Sequence, residues 1–147
     1  MTRGKETACT TNLIKDIFAA GGWAYKIPDP TPGGYKTNKR PFDVCGHFYG
    51  NFFAIEVKFL PRYGPFGPNK LADHQHKALR HVSERGGLSF VVLFVNSHNE
   101  NRLFWWPYTT FANQKTIRHE QLIELPYLSN RKGGYPLDWL SEACRGK

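Results

Sequence analysis

Phe52-Phe53-Ala54-Ile55-Glu56-Val57-Lys58 constrains this chain more than any other stretch. Aromatic and β-branched residues dominate positions 52–57, which reads as a buried strand. Yet a Glu and a Lys stand in it at i and i+2, a spacing that points both side chains to one face. A buried strand has little reason to carry two charges unless they pair or do chemistry. Upstream, Phe42-Asp43-Val44-Cys45 reads as the partner strand of a hairpin, with Gly46 and Gly50 bounding the turn. That hairpin brings Asp43 alongside Glu56, so two carboxylates and one ammonium converge at the end of a sheet.

Two readings of this trio stand side by side. One is a Glu56–Lys58 ion pair on a solvent-facing side. The other is a hydrolytic site. Asp43 and Glu56 supply the oxygen ligands that Mg²⁺ prefers, and the Ile55 carbonyl can add another. A metal held there polarises a scissile phosphate and lowers the pKa of a bound water. Lys58 then positions that water or stabilises the charge that develops on phosphorus.

The pattern Pro41-Phe42-Asp43, then Glu56-Val57-Lys58, resembles the PD-(D/E)XK nuclease signature. Within that superfamily the chain is similar to the RecU-like Holliday-junction resolvases. A second match is Leu71-Ala72-Asp73-His74-Gln75, which fits the family's Leu-x-x-His-Gln pattern position by position. The resemblance covers almost the whole chain, thinly. It implies an α/β fold with a restriction-endonuclease-like core, a mixed central β-sheet flanked by α-helices. It also implies a homodimer that cuts two strands of a branched DNA such as a four-way junction, in recombination and repair. The cofactor expected is Mg²⁺ or Mn²⁺. Glu6, which follows Arg3-Gly4 as in the family's N-terminal pattern, is implied as a further member of the metal site; a solvated Glu at a helix N-terminus is its other reading. Gln75 is implied as a group that orients water or phosphate, against a helix residue bonded to the neighbouring loop. His74, His76 and His81 receive no catalytic role.

The rest of the chain fits one domain over residues 1–147. Residues 6–20 show an apolar stripe of Leu13, Ile14, Ile17 and Phe18 at helical spacing, stopped by Gly21-Gly22. Residues 23–28 alternate as a first strand. Residues 29–39, rich in Pro and Gly, form a basic loop. RecU-like resolvases carry a longer insertion there that projects as a stalk, and this departure bears on junction specificity rather than on metal chemistry. Residues 59–70, with three prolines, are excluded from a central strand or a helix. A second helix opens at Leu71 with Asp73 as its N-cap, presents Leu71, Gln75, Ala78 and Val82 on one face, and closes at Gly86-Gly87. Residues 88–95 are the clearest strand, and residues 102–106 the next. Trp105 and Trp106 are core or dimer-interface residues in this reading, with base stacking as the alternative.

Charge supports a polyanionic partner. Residues up to Arg80 carry 12 Lys/Arg against 6 Asp/Glu, and the remainder 8 against 6, for a net +8. The excess lies in the half that holds the acid–acid–lysine set. Arg3, Lys36, Lys39, Arg40, Arg62 and Lys70 are the candidate phosphate contacts. Three scattered cysteines, Cys9, Cys45 and Cys144, indicate a reducing compartment, the cytoplasm or, for a viral chain, the host cytoplasm or nucleoid. No signal-peptide core or membrane span is expected. Two rivals remain at this level. One is a nickase or restriction-like nuclease on duplex or flap DNA. The other is a non-catalytic DNA-binding module of the same fold.

Overall fold

A computed structural model describes the backbone of residues 2–28, 39–130 and 134–146; the side chain of Arg3 and all of Lys36 lie outside the described residues. Helix α1 spans Thr2–Ala19 and is followed by strand β1, Trp23–Lys26. Strands β2, Val44–Phe48, and β3, Asn51–Leu60, form a hairpin. Helix α2, Asp73–Glu84, crosses to β4, Leu88–Ser97, which returns through β5, Glu100–Pro107. Three short helices close the chain: α3 Tyr108–Ala112, α4 His119–Glu124 and α5 Asp138–Arg145. The strands form one sheet in the order β1-β2-β3-β4-β5, antiparallel except for the parallel β3–β4 pair. The mixed α/β sheet is the fold expected from the sequence.

Two cores sandwich the sheet. On one face, Cys9, Leu13 and Ile17 of α1 and Leu140 and Cys144 of α5 pack on Phe53, Ile55 and Val57 of β3 and on Phe90, Val92 and Phe94 of β4. On the other, Leu79 of α2, Phe111 of α3 and Leu122 of α4 pack on Ala54, Val91, Leu93 and Phe104. β3 and β4 are covered on both sides, which explains their unbroken apolar runs. Phe18, counted with the apolar stripe of α1, is instead half-exposed.

The hairpin turns later than the glycines suggested. Phe48 pairs with Asn51, so Tyr49 and Gly50 alone make the turn, with φ of 50° and 80°. Positive φ at both central residues is the two-residue hairpin turn whose twist matches its strands. Gly46 lies inside β2, not at the turn. A Cβ there would sit 2.2 Å from the Trp23 carbonyl oxygen and 2.3 Å from the Phe53 ring. Two other boundaries also shift. Phe59 and Leu60 continue β3 through to the first proline. Asp73 is the first residue of α2 rather than its cap, and Ala72 takes the cap position.

Gly46→Ala should therefore destabilise the chain by about 3 kcal/mol, since the new methyl meets backbone on one side and a packed ring on the other. A urea unfolding midpoint measures it. A midpoint within error of the parent would mean β1 and β2 can part without cost.

Candidate active site

Asp43 stands just before β2, and its backbone N–H donates to the Ile55 carbonyl at 3.1 Å. That carbonyl therefore serves the ladder as well as lying near the acids. Where β2 gives out, the Asp43 side chain takes over as acceptor: its Oδ2 receives the Val57 N–H at 2.7 Å. Asp43 and Glu56 are buried, with 3% and 1% of their surface exposed. The Asp43 Oδ1 is held by the Arg40 guanidinium at 2.6 Å, and Arg40 also donates to the Ile27 carbonyl at 3.3 Å. Arg40, expected against phosphate, is thus turned onto an acid.

Glu56 has two unequal oxygens. Oε2 accepts from the Gln75 side-chain amide at 2.9 Å and lies 3.3 Å from the Lys58 ammonium. Oε1 is buried and has no hydrogen-bond partner. Burial, reinforced by the Asp43 charge and only partly offset by Lys58, pushes the Glu56 carboxyl up to about 8. A buried acid with an empty oxygen beside a second acid fits a hard divalent cation, which supplies the missing charge and keeps water in its other positions. Asp43 and Glu56 are the residues that would hold it. Among the described residues no group of three or more His, Cys, Asp and Glu side chains is arranged for a metal.

Gln75 serves two elements at once. Its Oε1 accepts the Ala72 N–H at 2.9 Å, which caps α2, while its Nε2 donates to Glu56. The expected bond to the neighbouring loop is thus present, at Ala72, and the amide is also tied to Glu56. His76 is a structural clamp: its two ring nitrogens meet the Pro68 carbonyl and the Tyr108 hydroxyl, each at 2.8 Å. Glu6 is not brought into a cluster with Asp43 and Glu56. It lies on the stripe of α1 that continues through Thr10, Leu13 and Ile17, and that helix packs on the sheet face opposite Glu56. Lys39, Arg62 and Lys70 are exposed. Trp105 and Trp106 point to opposite faces of β5; Trp105 stacks on Trp139 at 5.1 Å, and Trp106 lies 5.8 Å from Phe66. The Arg40–Asp43 pair and the Val57–Asp43 bond were missed in the sequence. The i, i+3 spacing of Arg40 and Asp43 was the one available signal.

The RecU family model, described as recombination protein U, matches residues 27–140. Among solved structures the chain is similar to Hjc of Archaeoglobus fulgidus, a Holliday junction resolvase from an archaeal hyperthermophile. The TM-score is 0.53 at 18% identity, over 78% of this chain and 88% of that one. Nothing among curated protein sequences matches the chain.

The raised Glu56 carboxyl sets a pH trend. Folding holds the proton that the unfolded chain releases near 4.5, so without metal this group's stabilisation is full at acid pH and is lost as pH rises to about 8. Glu56→Gln should flatten that trend and raise stability at pH above 8 by a few kcal/mol. Thermal melts with chelator across this range would test it; parallel curves for the two proteins would show that Glu56 is ionised throughout.

Proposed function

The chain belongs to the RecU, recombination protein U, family, and from that premise we propose that it is a metal-dependent endodeoxyribonuclease that resolves branched DNA. The observation that carries the reading is the buried Asp43–Glu56 pair with its unpartnered oxygen, set in a chain of net charge +8. A non-catalytic binder gains nothing from two buried carboxylates aimed at phosphate, and in this site their burial costs stability. A bound Mg²⁺ or Mn²⁺ would neutralise phosphate charge and acidify water at the site.

The chain's own groups do the remaining work. Asp43 and Glu56 hold the ion. Lys58, with 23% of its side chain exposed, reaches from Glu56 to solvent and is placed to orient water or steady charge on phosphate. Gln75 holds Glu56 in one orientation and acts through it. Arg40 occupies one Asp43 oxygen and must yield it, wholly or in part, when a cation arrives; released, its guanidinium becomes available to phosphate. Lys39, Arg62 and Lys70, with Arg3 and Lys36, are the proposed backbone contacts. A homodimer suits a two-fold junction, because a two-fold pair of sites meets two-fold related strands. No helix among the described residues is long and apolar enough to cross a membrane. The three cysteines are free, in keeping with a reducing compartment.

A cleavage assay with Mg²⁺, with and without chelator, tests the reading on an immobile four-way junction, a flapped duplex and a plain duplex. Paired symmetric cuts on the junction, lost with chelator and in Glu56→Gln, are expected. Cutting of plain duplex alone would keep the nuclease and remove the junction role. Asp43→Asn should cut nothing yet bind DNA as well as the parent or better, since it removes a negative charge near phosphate; normal cutting by this variant would move the metal site elsewhere.

Gln75→Ala should weaken metal affinity or cleavage roughly 10- to 100-fold, as loss of a group supporting a ligand does. It should lower stability by only about 1 kcal/mol through the lost cap. Titration with Mn²⁺ separates the two effects. Unchanged affinity with reduced stability would leave Gln75 a cap and nothing more.

A further inference from the structure

The two-sided cover of the sheet thins beyond β3, where Cys45 and Ile27 still pack at the edge of the second core but their neighbours are exposed. Cross-strand partners share a face, so Trp23, His47 and Phe52 form one row and Tyr25, Cys45 and Ala54 the next. Both rows lie on the face that carries Glu56. Trp23 is 51% exposed, Tyr25 48% and Phe52 44%. α2 packs on β3 and β4, and among the described residues no helix is laid over the outer two strands on this side. Large aromatic residues rarely stand bare together on a sheet without a partner.

The rings are ordered. The Trp23 and Tyr25 planes are parallel within 3°, with centroids 6.3 Å apart. At the Phe52 end of the first row a groove of about 440 Å³ lies between Phe52 and the end of α2, where His81 and, just past the helix, Arg85 line it. His74 lies on the same flank of α2 as His81, and Lys77 one step above it. β1, β2 and β3 as far as Ile55 contain no acidic residue. The platform leads to the site: successive rows on one face are roughly 7 Å apart, so the Tyr25 row is next to the row of Asp43 and Glu56.

We propose that the bare face of β1, β2 and the start of β3 is a stacking platform for unpaired nucleotides of DNA, with Trp23 and Tyr25 as the stacking rings. The proposal rests on the reading of the chain as a DNA nuclease and says which part of a branched substrate this face takes. Parallel exposed rings offer flat apolar surfaces that any base can cover, and the exposed Lys77 and Arg85 at the α2 border, with Asp73 and Glu84 near them, leave cations within reach of the connecting phosphates. Duplex DNA cannot use such a platform, because its bases are already stacked on each other. The face would therefore bind a strand that has left its helix beside the scissile position.

The test uses a fluorescein-labelled oligothymidylate about 15 nucleotides long and a duplex of equal length. Trp23→Ala and Tyr25→Ala should each weaken oligothymidylate binding roughly five-fold or more and leave duplex binding unchanged. Trp23→Phe and Tyr25→Phe should keep most of the affinity. Oligothymidylate should quench tryptophan emission of the parent, and Trp23→Phe should lose most of that quench while still binding. Equal losses on both probes, or no loss on either, would overturn the platform. So would a fall in sedimenting mass for Trp23→Ala, which would make a second copy the occupant of this face. The nuclease reading is judged apart from this, on four-way-junction cleavage by the parent. A parent that cuts while its variants bind oligothymidylate undiminished sinks the platform alone. A parent that cuts nothing yet binds oligothymidylate through Trp23 sinks the nuclease alone.

Discussion

Two carboxylates buried against each other are the constraint around which the rest of this structure is arranged. Each would gain hydration by leaving the sheet, and each repels the other. They stay because three kinds of partner hold them. The Val57 N–H and the Arg40 guanidinium take the two Asp43 oxygens. Gln75 and Lys58 share one oxygen of Glu56. The fourth oxygen, Oε1 of Glu56, goes without. That one buried carboxyl oxygen is left unpartnered while its three neighbours are satisfied is the feature on which the proposed cation site rests.

The architecture around this pair is what holds it in. A two-residue turn fixes the register of β2 on β3, and that register decides that Asp43 meets Val57. The parallel β3–β4 pair requires a crossover, and the crossover is α2. Its N-terminus therefore arrives beside Glu56, and its capping amide can serve the helix and the acid together. His76, one residue on, ties the same turn to Pro68 and Tyr108. The start of α2 is thus pinned at three points, which restrains the Gln75 amide on its acid.

Coverage of the sheet is uneven, and the unevenness follows from composition. β3 and β4 are apolar on both faces and need both layers of helix. β1 and β2 alternate, with Ala24, Val44, Gly46 and Phe48 turned to α1 and its partners. Their other face carries Trp23, Tyr25 and His47, exposed to solvent, and Cys45, half-buried against the second core. The acids sit buried at the border between the covered and the more open part, with Lys58 beside them partly exposed to solvent.

Much of the site was legible in the sequence because its signals are local. Glu56 and Lys58 share a face through the period of a strand, and Asp43 falls beside them through a hairpin that bridges few residues. The order of helices and strands followed from runs and breaks in hydrophobicity. What remained hidden was decided by tertiary geometry. Gly46 looked like a turn residue, yet its lack of a side chain admits the Trp23 carbonyl and the Phe53 ring. Arg40 looked like a phosphate contact, and only the folded hairpin shows it resting on Asp43. Glu6 had two readings, metal-site member or solvated residue at a helix start, and the packing of α1 on the other face of the sheet is what places it apart from the Asp43–Glu56 pair. By itself the sequence determined where the strands run, though not their ends, and which acids share one strand pair, because side-chain period and turn chemistry act over a few residues. Only the tertiary structure decided which partner each acid oxygen takes and which face of the sheet stays bare, because those depend on where distant helices come to rest.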